Sequence, residues 1–279
     1  MLKQLSRTVH VFECDLSKKS QHVLQISDVH FDSVKCDREL FTKHLKQAEK
    51  RNALVFINGD LTDLMQGAYD PRKNYSNLRP EYVDDNYLDA VINDAIRFLS
   101  QFNVTYFIGR GNHETNITKR MHTDPIDRIV QGLKQNGLEA MSGGYSGWFI
   151  YKCTYNYTGA ASIKQHYHHG SGGNSARSKG ILSADIDQMK FPDADIITRG
   201  HDHNKWHLPK NVTRLQTNYR VKISTVHHLR TGSYKKLGDG FAGWAVEKGF
   251  DQPRLGGWWM ELKCEKVKQA PTVFISEAQ

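Results

Sequence analysis

Five short stretches of the chain set carboxylate, imidazole or carboxamide groups close together. They are "SDVHFD" with Asp28 and His30, "GDLTD" with Asp60 and Asp63, "GRGNHE" with Asn112, His113 and Glu114, "HYHHG" with His166, His168 and His169, and "GHDH" with His201 and His203. Taken singly, each fits ordinary turn chemistry: aspartate and glycine in a tight turn, or asparagine capping a helix. Taken together they are donors without a thiolate, a set that suits manganese first, and iron, zinc or nickel as well. A closed structural zinc site needs four ligands, with cysteine expected among them. Here the donors suffice for two ions. Two divalent ions about 3.5–4 Å apart generate a hydroxide nucleophile and clamp the oxygens of an in-line phosphoryl displacement, with one carboxylate between them.

Such a site needs elements to deliver it. "HVLQIS" (His22 to Ser27), "ALVFING" (Ala53 to Gly59) and "VTYFIG" (Val104 to Gly109) are short apolar runs that read as buried strands, and "ADII" leads into "GHDH". Between the first two lies "DRELFTKHLKQAEKRN". Its residues Leu40, Phe41, His44, Leu45 and Ala48 fall at helical spacing after a capping Asp37. "EYVDDNYLDAVINDAIRFLSQF" predicts a long amphipathic helix, and a shorter one is expected around Ile126 to Lys134. Strand–helix–strand order, with about one βαβ unit between the first two motifs, implies parallel strands whose carboxyl ends carry the donors. The second half changes to strand-like runs: "WFIYKCTYNY", "SIKQHYHH", "RVKISTVHH" and "GGWWMELKCEKV". The expectation is one α/β domain over 1–279, with two packed sheets, the second one mixed, and helices outside.

Composition narrows the setting. The 279 residues, 38% of them hydrophobic, are enough for a sizeable core. No run approaches the length of a membrane-spanning helix, and the N-terminus lacks the apolar core of a signal peptide. Cys14, Cys36, Cys153 and Cys264 are far apart and form no C-x-x-C pair. They read as free thiols in a reducing cytoplasm. The net charge of +8 favours anionic partners such as phosphates or nucleic acid.

The ordered set "SDVH", "GDLTD", "GRGNHE", "HHG" and "GHDH" resembles the five motifs of the calcineurin-like metallophosphoesterase superfamily over about Val23 to Asn204. The ending "ADIITRGHDH" is similar to versions found in bacteria and their phages. The resemblance implies a four-layer α/β/β/α sandwich of two mixed sheets flanked by helices. It implies Asp28, His30 and His203 on one metal, Asn112, His201 and a fourth-motif histidine on the other, and Asp60 bridging. Position in the motif favours His168 for that histidine, with His169 as the rival. His113 would be the general acid, paired with Asp63, and a metal-bridging hydroxide would attack phosphorus. Protein phosphatases of the superfamily carry arginine after the second aspartate of "GDxxD"; Leu64 stands there in this chain, which argues against that branch.

The substrate expectation is a phosphate ester, with a phosphodiester of a nucleotide or nucleic acid favoured by the basic balance. A nuclease is one version, and a phosphomonoesterase is the alternative within the family. An inactive metal- or nucleic-acid-binding protein would have lost a ligand or the acid, and none is lost. "HGSGGNSARSKG" either brings backbone N–H groups to a phosphate, with Arg177 or Lys179 adding charge, or is a surface loop. "DPRKNYSNLRP" is a basic rim or a solvated loop, and "TVHHLRTGSY" lines the site or packs in the core. Trp258 and Trp259 read as sheet core and edge.

Overall fold

The apolar runs that lead into the motifs are strands, and they fall into two sheets. The computed structural model describes residues 1–17, 20–65, 78–83, 86–155, 159–172, 178–215, 218–236, 254–264 and 271–279. Among these the order is β1 (Leu2–Ser6), β2 (Val9–Asp15), β3 (Gln21–Ile26), α1 (Arg38–Lys50), β4 (Leu54–Ile57), α2 (Tyr87–Leu99), β5 (Thr105–Ile108), α3 (Asn112–Met121), α4 (Pro125–Gln135), β6 (Ala140–Ser142), β7 (Ser146–Tyr155), β8 (Gly159–His168), α5 (Ser183–Lys190), β9 (Ile196–Arg199), β10 (Lys205–Leu215), β11 (Val221–Thr231), β12 (Trp258–Lys263) and β13 (Thr272–Glu277).

One sheet runs β13-β12-β3-β4-β5-β6 and the other β1-β2-β7-β8-β9-β11-β10. In the first, β3 to β6 are parallel while β12 lies antiparallel to β3. The "GGWWMELK" run therefore joins the sheet of the first half, not that of the second. Its Trp259, Met260 and Leu262 are buried, as a strand covered on both faces requires. Alternation along β4 explains the layering. Leu54 and Phe56 enter the core between the sheets with Phe107, Phe149 and Tyr167, whereas Val55 and Ile57 face α1, α2 and α4. Phe56 and Phe107 are fully buried there, and truncating either to alanine would cost about 3–5 kcal/mol. On the far side, α5 is followed by Phe191 and Ala194, which pack with Ile197, Val226 and Trp148 on the outer face of the seven-stranded sheet. The result is the α/β/β/α sandwich.

Asp37 caps α1 as expected, accepting from Leu40 N–H at 3.0 Å. The long helix is shorter than its periodicity suggests. It begins at Tyr87, and Pro80–Tyr82 forms a separate 3-10 turn. Tyr82 is held apart by Arg38 and Asp94 and packs with Leu64, Leu78, Val91 and Ile117. No helix among the described residues is long and apolar enough to cross a membrane.

Candidate metal centre

Register puts the motifs on one edge. Ile26, Ile57 and Ile108 are aligned across β3, β4 and β5, so the chain leaves all three strands beside one another and delivers Asp28, Asp60 and Asn112 together. In the other sheet His168 lies opposite Arg199, which brings His169 to the turn holding His201 and His203. Asp28, His30, Asp60, His201 and His203 all have positive φ, between 50° and 75°. Non-glycine residues rarely adopt that region, and such strain persists only where the surroundings over-determine it.

The surroundings do so here. Asp28 N–H donates to Gly59 O at 3.1 Å and His30 N–H to Asp60 O at 3.1 Å, tying the first two motifs together. Two buried carboxylates clamp the second motif by its backbone. Glu114 accepts from the N–H groups of Asp60, Thr62 and Gly111, and Asp32 from those of Asp63 and Leu64. Burial and the nearby Asp60 push Glu114 up to about 7. Glu114, a candidate donor by sequence, is therefore a backbone anchor. Asp32 escaped notice, although "SDVHFD" contains it. Gly59 (φ +86°) and Gly200 leave room for the site. A Cβ on Gly59 would stand 2.6 Å from His169 Nδ1, and one on Gly200 2.6 Å from Asp28 Oδ2.

The side chains converge in overlapping groups, each able to hold an ion: Asp28, His30 and His203; His30, Asp60 and His113; Asp60, His169 and His201. His30 Nε2 and His203 Nε2 are 3.2 Å apart, and His203 Nε2 is 3.5 Å from Asp28 Oδ1. His201 Nδ1 lies 2.8 Å from Asn112 Oδ1. His169 Nδ1 donates to Asn58 O at 2.8 Å, so its Nε2 carries the lone pair of the neutral ring. That Nε2 faces two acceptors, Asp60 Oδ2 at 3.1 Å and Asn112 Oδ1 at 3.2 Å. Three acceptors converging on one point require a proton or a cation between them. Burial opposes a charge on His169, but the Asp60 carboxylate prevails and pushes it up to about 10. Burial holds His30 and His203 down to about 4, leaving them neutral at physiological pH, whereas His169 must give up its proton before its Nε2 can hold an ion. The oxygen and imidazole donors thus fit divalent ions.

Two expectations change. The fourth-motif histidine in the cluster is His169, not His168. β8 ends at His168, whose Nδ1 accepts from Gly170 N–H at 2.8 Å, and the turn beyond swings the next ring inward. His166 is stacked on Phe191 instead. Secondly, the Asp63 carboxylate does not primarily serve His113. It accepts from His30 Nδ1 at 2.7 Å and from Lys235 Nζ at 2.7 Å, while His113 Nδ1 donates to the backbone carbonyl of Asp63 at 2.5 Å and lies 3.7 Å from the carboxylate. Lys235 itself has no motif to announce it.

The remaining candidates spread out. Arg177 and residues 70–77 of the basic stretch lie outside the described residues. Lys179 is on the exposed turn before α5, where its carbonyl accepts from Trp206 Nε1. Asp202 is a turn residue, accepting from Asn204 N–H and lying 3.4 Å from Arg230 Nε. His228 contacts Gln188, and His207 and His227 contact each other. Beside His201 opens a cavity of about 230 Å³, lined by Gly170, Ser183, Lys190, Arg199 and Arg230 among others.

No curated protein matches the chain in sequence. Among solved structures, the inner-membrane-complex anchor GAP50 of Plasmodium shares 12% identity over 93% of this chain and 85% of its own, with a TM-score of 0.47. The calcineurin-like phosphoesterase YfkN of Bacillus subtilis shares 16% over 93% and 91%, with a TM-score of 0.33. A metallophosphoesterase from Sphaerobacter thermophilus shares 15% over 92% and 88%, with a TM-score of 0.34. The family model for calcineurin-like phosphoesterases matches residues 21–205, a span that begins at β3 and closes just after the "GHDH" turn. The chain belongs to the calcineurin-like phosphoesterase family and is a metal-dependent phosphoester hydrolase.

Proposed function

We propose that the centre is dinuclear, and that the protein is a cytoplasmic phosphodiesterase acting on nucleotides or nucleic acid. Asp28, His30 and His203 hold one ion, and Asn112, His169 and His201 the other, with Asp60 shared and manganese preferred. The observation that carries this reading is Asp60. Its carboxylate belongs to two donor groups at once, facing His169 on one side and His30 and His113 on the other. The chain from 1 to 279 then acts as one domain, since donors come from both sheets.

Two divalent ions held there would supply an activated water and offset the charge that develops on the phosphate oxygens. The protein's own groups do the rest. Asp63 accepts from His30 Nδ1 and so turns His30 Nε2 toward Asp28 and His203. The Asp63 carbonyl fixes Nδ1–H of His113 and so aims its Nε2, 3.7 Å from Asp60 Oδ2, into the site, from which the doubly protonated ring would deliver a proton to the leaving oxygen. The +8 charge, and the room in the cavity beside His201, whose Arg199 and Arg230 are paired with Asp187 and Asp202, favour a substrate with a second ester arm over a simple monoester. Arg177 and Lys179 are the candidate outer phosphate contacts.

Manganese-reconstituted protein is to be assayed against a chromogenic monoester, a chromogenic diester, cyclic nucleotides, and single- and double-stranded DNA. Turnover concentrated on diesters is expected. Activity on the monoester alone overturns the diester assignment, and full activity after exhaustive chelation overturns the metal centre.

A further inference from the structure

Lys235 comes from the segment after β11, far in sequence from the motifs, yet its ammonium reaches the floor of the centre. Its side chain is 15% exposed, and Nζ donates to Asp63 Oδ1 at 2.7 Å. The same oxygen accepts from His30 Nδ1 at 2.7 Å. The backbone that carries Lys235 is tied to the first motif. Ser233 Oγ and Tyr234 N–H both donate to Asp28 O, at 2.8 and 3.0 Å, and Lys235 N–H donates to Ser233 Oγ at 2.9 Å. The lysine is thus held against the very loop whose imidazole it reaches through Asp63.

A cation beside a site built for two divalent ions is electrostatically adverse unless a carboxylate separates it from them. Asp63 does so. Among the described residues, the buried Asp63 carboxylate without Lys235 has one close donor in His30, and His113 Nδ1, 3.7 Å away, competes for it. Turning toward His113 would release His30 Nδ1 and let its ring rotate away from Asp28. Outer partners of this kind orient a ligand, and their loss costs about 10–100-fold in metal affinity.

We propose that Lys235 is a positioning residue of the Asp28–His30–His203 position, acting through Asp63. This rests on the dinuclear reading above. The test is titration of the metal-free full chain with Mn²⁺, counting free ion by electron paramagnetic resonance, for the native protein, Lys235→Met and Lys235→Arg. Circular dichroism and thermal melts run alongside. The expected result is two binding steps in the native protein. In Lys235→Met one step weakens about 10–100-fold and the other is unchanged. In Lys235→Arg, whose fork can still donate to Asp63, the weakened step is restored to within a few fold. A His30→Ala control loses the same step. Unchanged affinities in Lys235→Met overturn the proposal even if its KM for an ester rises, because that pattern belongs to a substrate contact. Equal weakening of both steps that arginine does not restore also overturns it. A native protein with no Mn²⁺ step refutes the metal centre itself, and the proposal with it. A native protein with a single step refutes only the dinuclear reading, and Lys235→Met must still weaken that step.

Discussion

Gly200→Ala tests whether the placement of Asp28 is what the site depends on. The φ of Gly200 suits any residue, so alanine brings no backbone penalty, only a methyl group. That methyl would stand 2.5 Å from Ser27 Oγ, 2.6 Å from Asp28 Oδ2 and 2.9 Å from Ser27 Cβ, where ordinary contact begins near 3.4 Å. One side must give by about 0.8 Å. The backbone of Asp28 cannot yield easily. Its N–H is bonded to Gly59 O, and its carbonyl accepts from Ser233 and Tyr234. The carboxylate therefore moves, and with it the bond it accepts from His201 N–H at 2.9 Å. A displacement near 1 Å costs about 100-fold in a positioned reaction, or about 2.7 kcal/mol. The assay is kcat/KM on a chromogenic diester with Mn²⁺, beside Mn²⁺ titration and a thermal melt. Gly137→Ala serves as control, since nothing lies within 4 Å of its added Cβ and its φ of +83° puts the cost into stability alone. If Gly200→Ala keeps kcat/KM within twofold and binds Mn²⁺ as tightly as before, the reasoning is refuted.

Other expectations concern single side chains. His169→Ala should weaken one Mn²⁺ step by at least the 10–100-fold typical of lost outer partners, while His168→Ala leaves both steps intact; the reverse pattern would return the ligand to His168. His113→Ala should keep both metals and lose about 10²–10⁴-fold in turnover, and unchanged turnover would remove it as the acid. Stability should fall in mild acid. Burial holds His44, His166 and His228 each down to about 4, so the unfolded chain, titrating near 6.5, binds protons first. The stabilisation is complete above about pH 6.5 and is lost as pH falls toward 4, with a slope of at most about 1.4 kcal/mol per pH unit for each imidazole. Urea unfolding of chelated protein at pH 7.5, 6 and 5 reads this. A flat profile contradicts it, and His44→Gln should lower the slope by one imidazole's share, at most about 1.4 kcal/mol per pH unit.

Local patterns were legible where short-range chemistry decides. The strands before the first three motifs, the Asp37 cap and the five donor turns follow from apolar runs and turn residues within a few positions of one another. What stayed hidden depends on events outside that range. The choice between His168 and His169 turns on the residue at which β8 stops. The partner of His113 is a backbone carbonyl, which no side-chain pattern encodes. Lys235 reaches Asp63 across 172 positions. β10 was missed because "KWHLPKNVTRL" is a half-exposed edge strand with an internal proline, which reads as loop. α5 was missed because its eight residues expose Ile186 and Met189 to solvent.

The candidate donors come from both sheets: Asp28, Asp60 and Asn112 leave the six-stranded one, and His169, His201 and His203 leave the seven-stranded one. A metal ion seated between them would act as a rivet through the edge of the sandwich. During synthesis the aspartates emerge well before His201 and His203, so a growing chain offers only half of the coordination sphere. Capture of a metal by this donor set would therefore wait until the sheets have closed on each other. A bound ion would then resist their separation, and the melting temperature is expected to rise with metal concentration as mass action requires.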